Sequence, residues 1–290
     1  LLEKDSGTEY APITYKTEPD AVQGSRRQAR LSGGIVIPPS AFSPAAVPSG
    51  AKGVHVADLK AYVNASSIGG LACPYPKQRM RVYYNDLPAV LARDPNVEGG
   101  TLHAPWRYAG YGSATPKNET VLLLNDSATG ARWQAASSAP GADLWMHGFW
   151  RYDWRDTFIK VAGIQKAGSS SYAITRDAAT PPQYPWKAGC RFYAVNALEL
   201  LDAEGEYFID SRAMKLYFST GDKPLDGEVS VSVLPAVLQV KGANHTKFEN
   251  LSLSMAQLDA VSISQASHLH VTNCTIADAG IACLSLSGSN

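Results

Sequence analysis

From Asn250 onward the chain matches itself when shifted by 23 residues, and this echo constrains the fold more than any other feature. Asn250 falls on Asn273, Leu251 on Cys274, Ser252 on Thr275 and Leu253 on Ile276. Further along, Val261 falls on Leu284, Ser262 on Ser285, Ile263 on Leu286 and Ser264 on Ser287. The backward shift places Val261 and Ile263 on Leu238 and Val240. Within each period two short runs alternate apolar with hydroxyl, the pattern of a strand with one buried face. The gaps are too short for crossover helices. Stacked, in-register strands at this period predict a right-handed parallel β-helix, with Leu251, Leu253, Val261 and Ile263 inward and Ser or Thr outward. Asn250 and Asn273 are expected to stack at a turn and share amide hydrogen bonds. An antiparallel sandwich also has short alternating strands but does not explain the echo.

The rest of the chain divides by composition. Residues 1–57 carry strand-like runs, Ala11–Lys16 and Ala29–Ile37, that fit the first coils of the same solenoid. Residues 58–222 hold all six tryptophans and readable hairpins at 81–90 and 206–218, which predict an inserted antiparallel β-rich domain. Only Ala194–Asp202 hints at a short helix there. Residues 223–290 are the later coils. The chain begins at Leu1 and closes on a strand-like Leu284–Ser287, so the expectation is a fragment with an open, aggregation-prone end. The fold class expected is therefore all-β.

Charge excludes some functions. Lys plus Arg equal Asp plus Glu at 26 each, and no basic stripe suggests nucleic acid. No apolar run reaches the ~18–20 residues of a membrane span. No GxSxG, P-loop, helix-opening GxGxxG or HExxH occurs, so no cofactor is expected. The four cysteines lack zinc-ligand spacing. Cys274 and Cys283 sit at apolar positions of the echo and are expected as buried thiols, while Cys73 and Cys190 could pair. Asn-x-Ser/Thr sites at Asn64, Asn118, Asn125 and Asn244 are candidate glycosylation sites and favour an extracellular or secretory location. Asn250 and Asn273 have the structural explanation given above.

Several segments resemble a known group. Leu144-Trp145-Met146-His147-Gly148-Phe149-Trp150-Arg151-Tyr152-Asp153-Trp154-Arg155-Asp156 is distinctive, as are Arg191–Asp202, Gly205–Asp210 and Leu216–Phe218. Ala11–Tyr15 and Leu31–Gly34 fit the same pattern. Together they resemble the N-terminal half of right-handed parallel β-helix proteins that include glycoside hydrolases of fucosidase or xylanase type. The resemblance implies a polysaccharide or glycan partner and a polysaccharide-degrading glycosidase as parent. In that group the proposed acid and nucleophile lie in later coils, so no catalytic residue is assigned to a position here. Alternatives are a non-catalytic carbohydrate-binding or surface module and a calcium-dependent β-helical polysaccharide lyase. A lyase would want clustered Asp on one face, and 223–290 shows no such cluster.

Glycosidases place two carboxyl groups about 5–5.5 or 6.5–9.5 Å apart across one sugar. Asp259 and Asp278 lie in the best-defined coils, but the 23-residue shift pairs them with Ala282 and Met255, so turn roles are expected. His245 stacks on His268 at the same shift with no acidic partner at fixed spacing, and no metal site is expected. In 147–156, Trp150, Tyr152 and Trp154 alternate with Phe149, Arg151 and Asp153. On a strand they share one face, where aromatic rings either stack on sugar or pack the inserted domain. Asp153 and Asp156 are expected to pair with Arg151 and Arg155.

Overall fold

The computed structural model describes residues 1–17, 28–71, 79–97, 105–110 and 121–288. The chain is mostly β, with one α-helix among the described residues. It forms two compact units. The first comprises Leu1–Ile37, Gln78–Pro88 and Glu228–Asn290, the second Pro38–Lys77 and Ala89–Gly227.

The first unit contains three three-stranded parallel sheets. One pairs Ile13–Lys16, Thr246–Glu249 and Leu269–Thr272. Another pairs Leu238–Lys241, Val261–Ser264 and Leu284–Ser287, with Leu238 opposite Val261 and Val261 opposite Leu284. The third pairs Ala29–Ser32, Leu251–Ser254 and Thr275–Ile276. The echo in sequence is thus an echo in register, parallel and residue for residue.

Alternation explains the packing. Phe248, Leu251, Leu253, Val261 and Ile263 are buried in one apolar cluster with Val240, Ala243 and Ala266, and Tyr15 stacks on Phe248 at 5.4 Å. Backbone angles repeat as well. Gly242, Gln265 and Gly288 take positive φ, as do His245 and His268, Asn250 and Asn273, and Met255 and Asp278. Each set is spaced by 23 residues. Asn, Asp, His and Gly tolerate the left-handed region better than branched residues do. The Asn273 amide donates to the Asn250 side-chain oxygen, as the stacking argument expects. Asn244 works similarly, accepting from the Ser267 amide at 2.8 Å and its hydroxyl at 2.7 Å. In the outermost strands and turns of this unit Val271, Ile281, Leu284 and Leu286 are exposed. Cys283 is exposed with them and Cys274 is half-buried, a correction to the expectation of two buried thiols. The reason is position: alternation puts a side chain on the inner face, but burial needs a further layer above it.

A four-stranded antiparallel sheet completes the unit: Gly34–Ile37, Val229–Ser232, Val82–Tyr84 and Leu87–Pro88. Its hairpin turns through Asn85 and Asp86, both at positive φ, as a two-residue type I′ connection requires.

The second unit is antiparallel-rich. A seven-stranded sheet runs Arg107–Tyr108, Arg191–Val195, Trp145–Phe149, Thr157–Lys166, Tyr172–Arg176 and Val121–Leu124, with Arg93–Asp94 also on Arg191–Val195. A five-stranded sheet runs Phe42–Pro44, Val54–Asp58, Lys215–Ser219, Glu206–Asp210 and Val90–Leu91. The helix Ser127–Ser138 starts at Asp126, whose carboxylate caps the Thr129 amide at 3.0 Å. It packs through Trp133, which is fully buried against Phe192. Ala194–Asp202, expected as a short helix, instead contains the end of the strand Arg191–Val195 and one 3-10 turn, Leu198–Leu200.

Charge is buried in this unit. Asp94 is 5% exposed and accepts from Arg107, Arg132 and the Trp133 indole. Arg132 also pairs with Asp202. Glu206 is 2% exposed. It accepts from the amides of Arg93, Asp202 and Ala203, each at 3.2 Å. Burial still pushes its carboxyl up to about 8.

Candidate glycan-binding site

The strand Trp145–Phe149 sits between Arg191–Val195 and Thr157–Lys166 in the seven-stranded sheet. Its alternation buries Met146 and Gly148 on the core face and leaves His147 and Phe149 half-buried on the other. Gly148 is required there, since a Cβ would lie 2.7 Å from the Arg191 carbonyl oxygen. The strand stops at Phe149, and residues 150–156 turn before the next strand begins at Thr157.

That turn separates the three aromatics expected on one strand face. Trp150 is 2% exposed and belongs to the core. Its indole donates to the Thr157 carbonyl at 3.1 Å, and its ring lies 5.9 Å from both Trp186 and Phe192. Tyr152 and Trp154 point outward at 42% and 69% exposure. Their rings stack at 5.3 Å and 14°. Tyr184, which the sequence reading did not single out, meets both edge-on at 5.2 and 5.8 Å. The available signal was its place in a Pro-rich run, Pro181-Pro182-Gln183-Tyr184-Pro185, where a large aromatic has no strand to bury it.

The acidic residues of the turn tie it to the sheet. Asp153 pairs with Arg191 at 3.3 Å in place of an expected arginine of the turn, and Asp156 pairs with His147 at 2.7 Å while the charge of the expected Arg155 also acts on it. Arg191 in turn lies over Phe149 at 4.4 Å and Trp106 at 5.2 Å. The second ring nitrogen of His147, Nδ1, is 2.6 Å from the Tyr193 hydroxyl. Burial raises the Tyr193 phenol above its usual range, so the hydroxyl beside Nδ1 keeps its proton. Nε2–H of His147 then donates to Asp156. That hydrogen bond is the main reason the Asp156 carboxyl lies below its usual range. Arg93 covers the Tyr193 ring at 3.6 Å. The sheet thus anchors a turn whose outer surface is aromatic.

The fold resembles that of a solved glycoside hydrolase. The likeness has a TM-score of 0.68 at 21% identity and covers 97% of this chain and 52% of the other. The chain therefore spans about half the length of that protein. No family model and no curated protein matches the sequence.

The remaining candidates are placed as follows. Asn64 and Asn125 are exposed, and Asn118 lies outside the described residues. The Asn244 amide is engaged with Ser267 and the Gly242 carbonyl. His245 and His268 stack at 4.4 Å and 6°. Among the described residues no three His, Cys, Asp or Glu side chains converge on a point suited to a metal ion. No described helix is long and apolar enough to cross a membrane. Cys190 is buried, which pushes its thiol up to about 12, and Cys73 lies outside the described residues.

Proposed function

We propose that this chain is the glycan-binding part of a carbohydrate-active protein built on a right-handed parallel β-helix, whose parent is a polysaccharide-degrading glycoside hydrolase. The observation that carries the reading is the outward-facing Tyr152–Trp154 stack, braced by Tyr184. Exposed, parallel rings present a π surface to the axial C–H face of a sugar, and exposing a tryptophan to water is unfavourable without such a use. The fold likeness to a glycoside hydrolase supports the same class of partner. The in-register parallel strands spaced by 23 residues support the β-helix. Exposed Asn64 and Asn125 fit a secreted, glycosylated protein.

The test is retention of the purified chain on insoluble polysaccharides and its affinity for soluble oligosaccharides. Trp154→Ala is expected to weaken binding by about 1–2 kcal/mol, roughly 5- to 30-fold, with thermal stability unchanged. Tyr152→Ala acts in the same direction. Equal binding by the Trp154→Ala chain on every glycan retained by the wild type would overturn the reading. The second reading is a non-catalytic binding role for the chain itself. Release of reducing ends from a glycan by the purified chain would contradict that role.

A further inference from the structure

A cavity of about 340 Å³ opens in the second unit at the C-terminal end of the helix Ser127–Ser138. Its walls come from Ala139–Asp143, Lys160, Asn196–Glu199 and Phe208–Arg212. The polar groups on these walls fall into two sets.

One set is locked. Asp143 pairs with Lys160 at 2.8 Å and accepts from the Trp145 indole and the Asn196 amide, each at 3.0 Å. Asn196 is 3% exposed and held at φ +67°. Asp210 accepts from the backbone amides of Arg212 and Ala213 at 3.0 and 2.9 Å. These groups are spent on rigidity.

The other set is unspent. The Glu199 carboxylate, the Ser211 hydroxyl and the Arg212 guanidinium have no side-chain partner among the described residues. Glu199 is half-buried, so its idle acceptor costs more than a surface one would. A rigid frame carrying a few free polar groups, with Leu198 and Phe208 as apolar surface, suits a polar small ligand better than an apolar one. The volume lies at the small end of the range of about 300–1,000 Å³.

We infer that this cavity is a second saccharide subsite that takes a neutral sugar unit, with Glu199 accepting from and Arg212 donating to neighbouring hydroxyls. Charge selects against an anion. Three carboxylates, Asp143, Glu199 and Asp210, face two cations, and one of those cations, Lys160, is already paired. The carbonyl end of the helix adds partial negative charge. A sugar hydroxyl serves both kinds of free group at once, because it donates and accepts. The inference rests on the glycan reading above and extends it to a site separate from the Tyr152–Trp154 stack.

The experiment titrates the 290-residue chain with glucose, galactose, mannose, xylose, fucose and glucuronate while following backbone amide shifts by NMR. At least one neutral sugar is expected to produce saturable shifts at Gly141, Asn196 and Arg212. Glu199→Ala and Arg212→Ala should each weaken that binding on the order of tenfold, and Trp154→Ala should leave it intact. Glu199→Gln, which keeps the shape, should weaken it less than Glu199→Ala. Silent amides with every neutral sugar, or shifts with glucuronate alone, overturn the inference. So do unchanged affinities in both alanine variants. If Trp154→Ala abolishes polysaccharide retention while the cavity amides stay silent, the aromatic-stack reading stands and only this one falls. The wild-type titration decides by itself should a wall variant misfold.

Discussion

The two units solve the same problem, covering apolar strand faces, by opposite means. The first repeats one small solution. Parallel strands 23 residues apart lay Leu, Val and Ile over their counterparts, and matching left-handed turns return the chain to the same register. The second uses each residue once. Its sheets are antiparallel-rich, its core is large and aromatic, and it buries Asp94, Arg93 and Glu206 among hydrogen bonds. The comparison teaches that repetition makes stability local, whereas a single aromatic and ionic core makes it shared.

The sharpest way to break this contrast is Trp133→Ala. It removes the largest fully buried side chain of the second unit and also the indole donor to Asp94. A loss of about 3–5 kcal/mol is expected from chemical denaturation, with amide protection falling throughout residues 89–227. Leu253→Ala should cost about 2–4 kcal/mol. Its protection loss should concentrate in the strands it pairs with, Ala29–Ser32 and Thr275–Ile276. A loss spread evenly through the first unit would refute local stability.

Glu206 sharpens the comparison through pH. Its folded-state value, about 8, exceeds the usual 4.5. Between those values the folded chain holds a proton that the unfolded chain has released. Stability therefore falls as pH rises from about 5 to 8 and levels off above, by on the order of a few kcal/mol. Glu206→Gln should flatten that slope, seen as thermal midpoints at pH 5 and pH 9 drawing together. The smallest effect belongs to Asn250→Ala. It puts alanine, which tolerates the left-handed region less well than asparagine, at φ +58° and removes the amide partner of Asn273, for a loss of about 1–2 kcal/mol. Asn250→Gly should recover part of that loss, because glycine relieves the strain but not the missing hydrogen bond.

How much was legible follows from the same contrast. The parallel pairing was written twice, so Val261 and Leu284 could be matched before any coordinates. The hairpin at Asn85-Asp86 announced itself by residues that accept positive φ. The helix Ser127–Ser138 escaped notice because its sequence, rich in Ser and Ala with one Gly, has no apolar stripe. It buries only Thr129, Gly130, Trp133 and Ala136. The turn after Phe149 was hidden for a related reason. No Gly or Pro marks residues 149–156, so the alternating aromatics read as a strand. The sheet's closing strand at Thr157 decides that Trp150 goes in while Tyr152 and Trp154 go out, and that is long-range information. Tyr184 reaches the same cluster from 30 residues away.

The recurring left-handed positions carry a consequence for how the first unit tolerates changes in length. Gly242, Gln265 and Gly288 act as equally spaced hinge marks along the chain. Excising one whole spacing would leave every remaining inward residue inward. Removing a single residue between Val261 and Leu284 would turn Leu284 and Leu286 to the wrong face, since the strand period is two. Viable length changes in this unit should therefore come in whole steps.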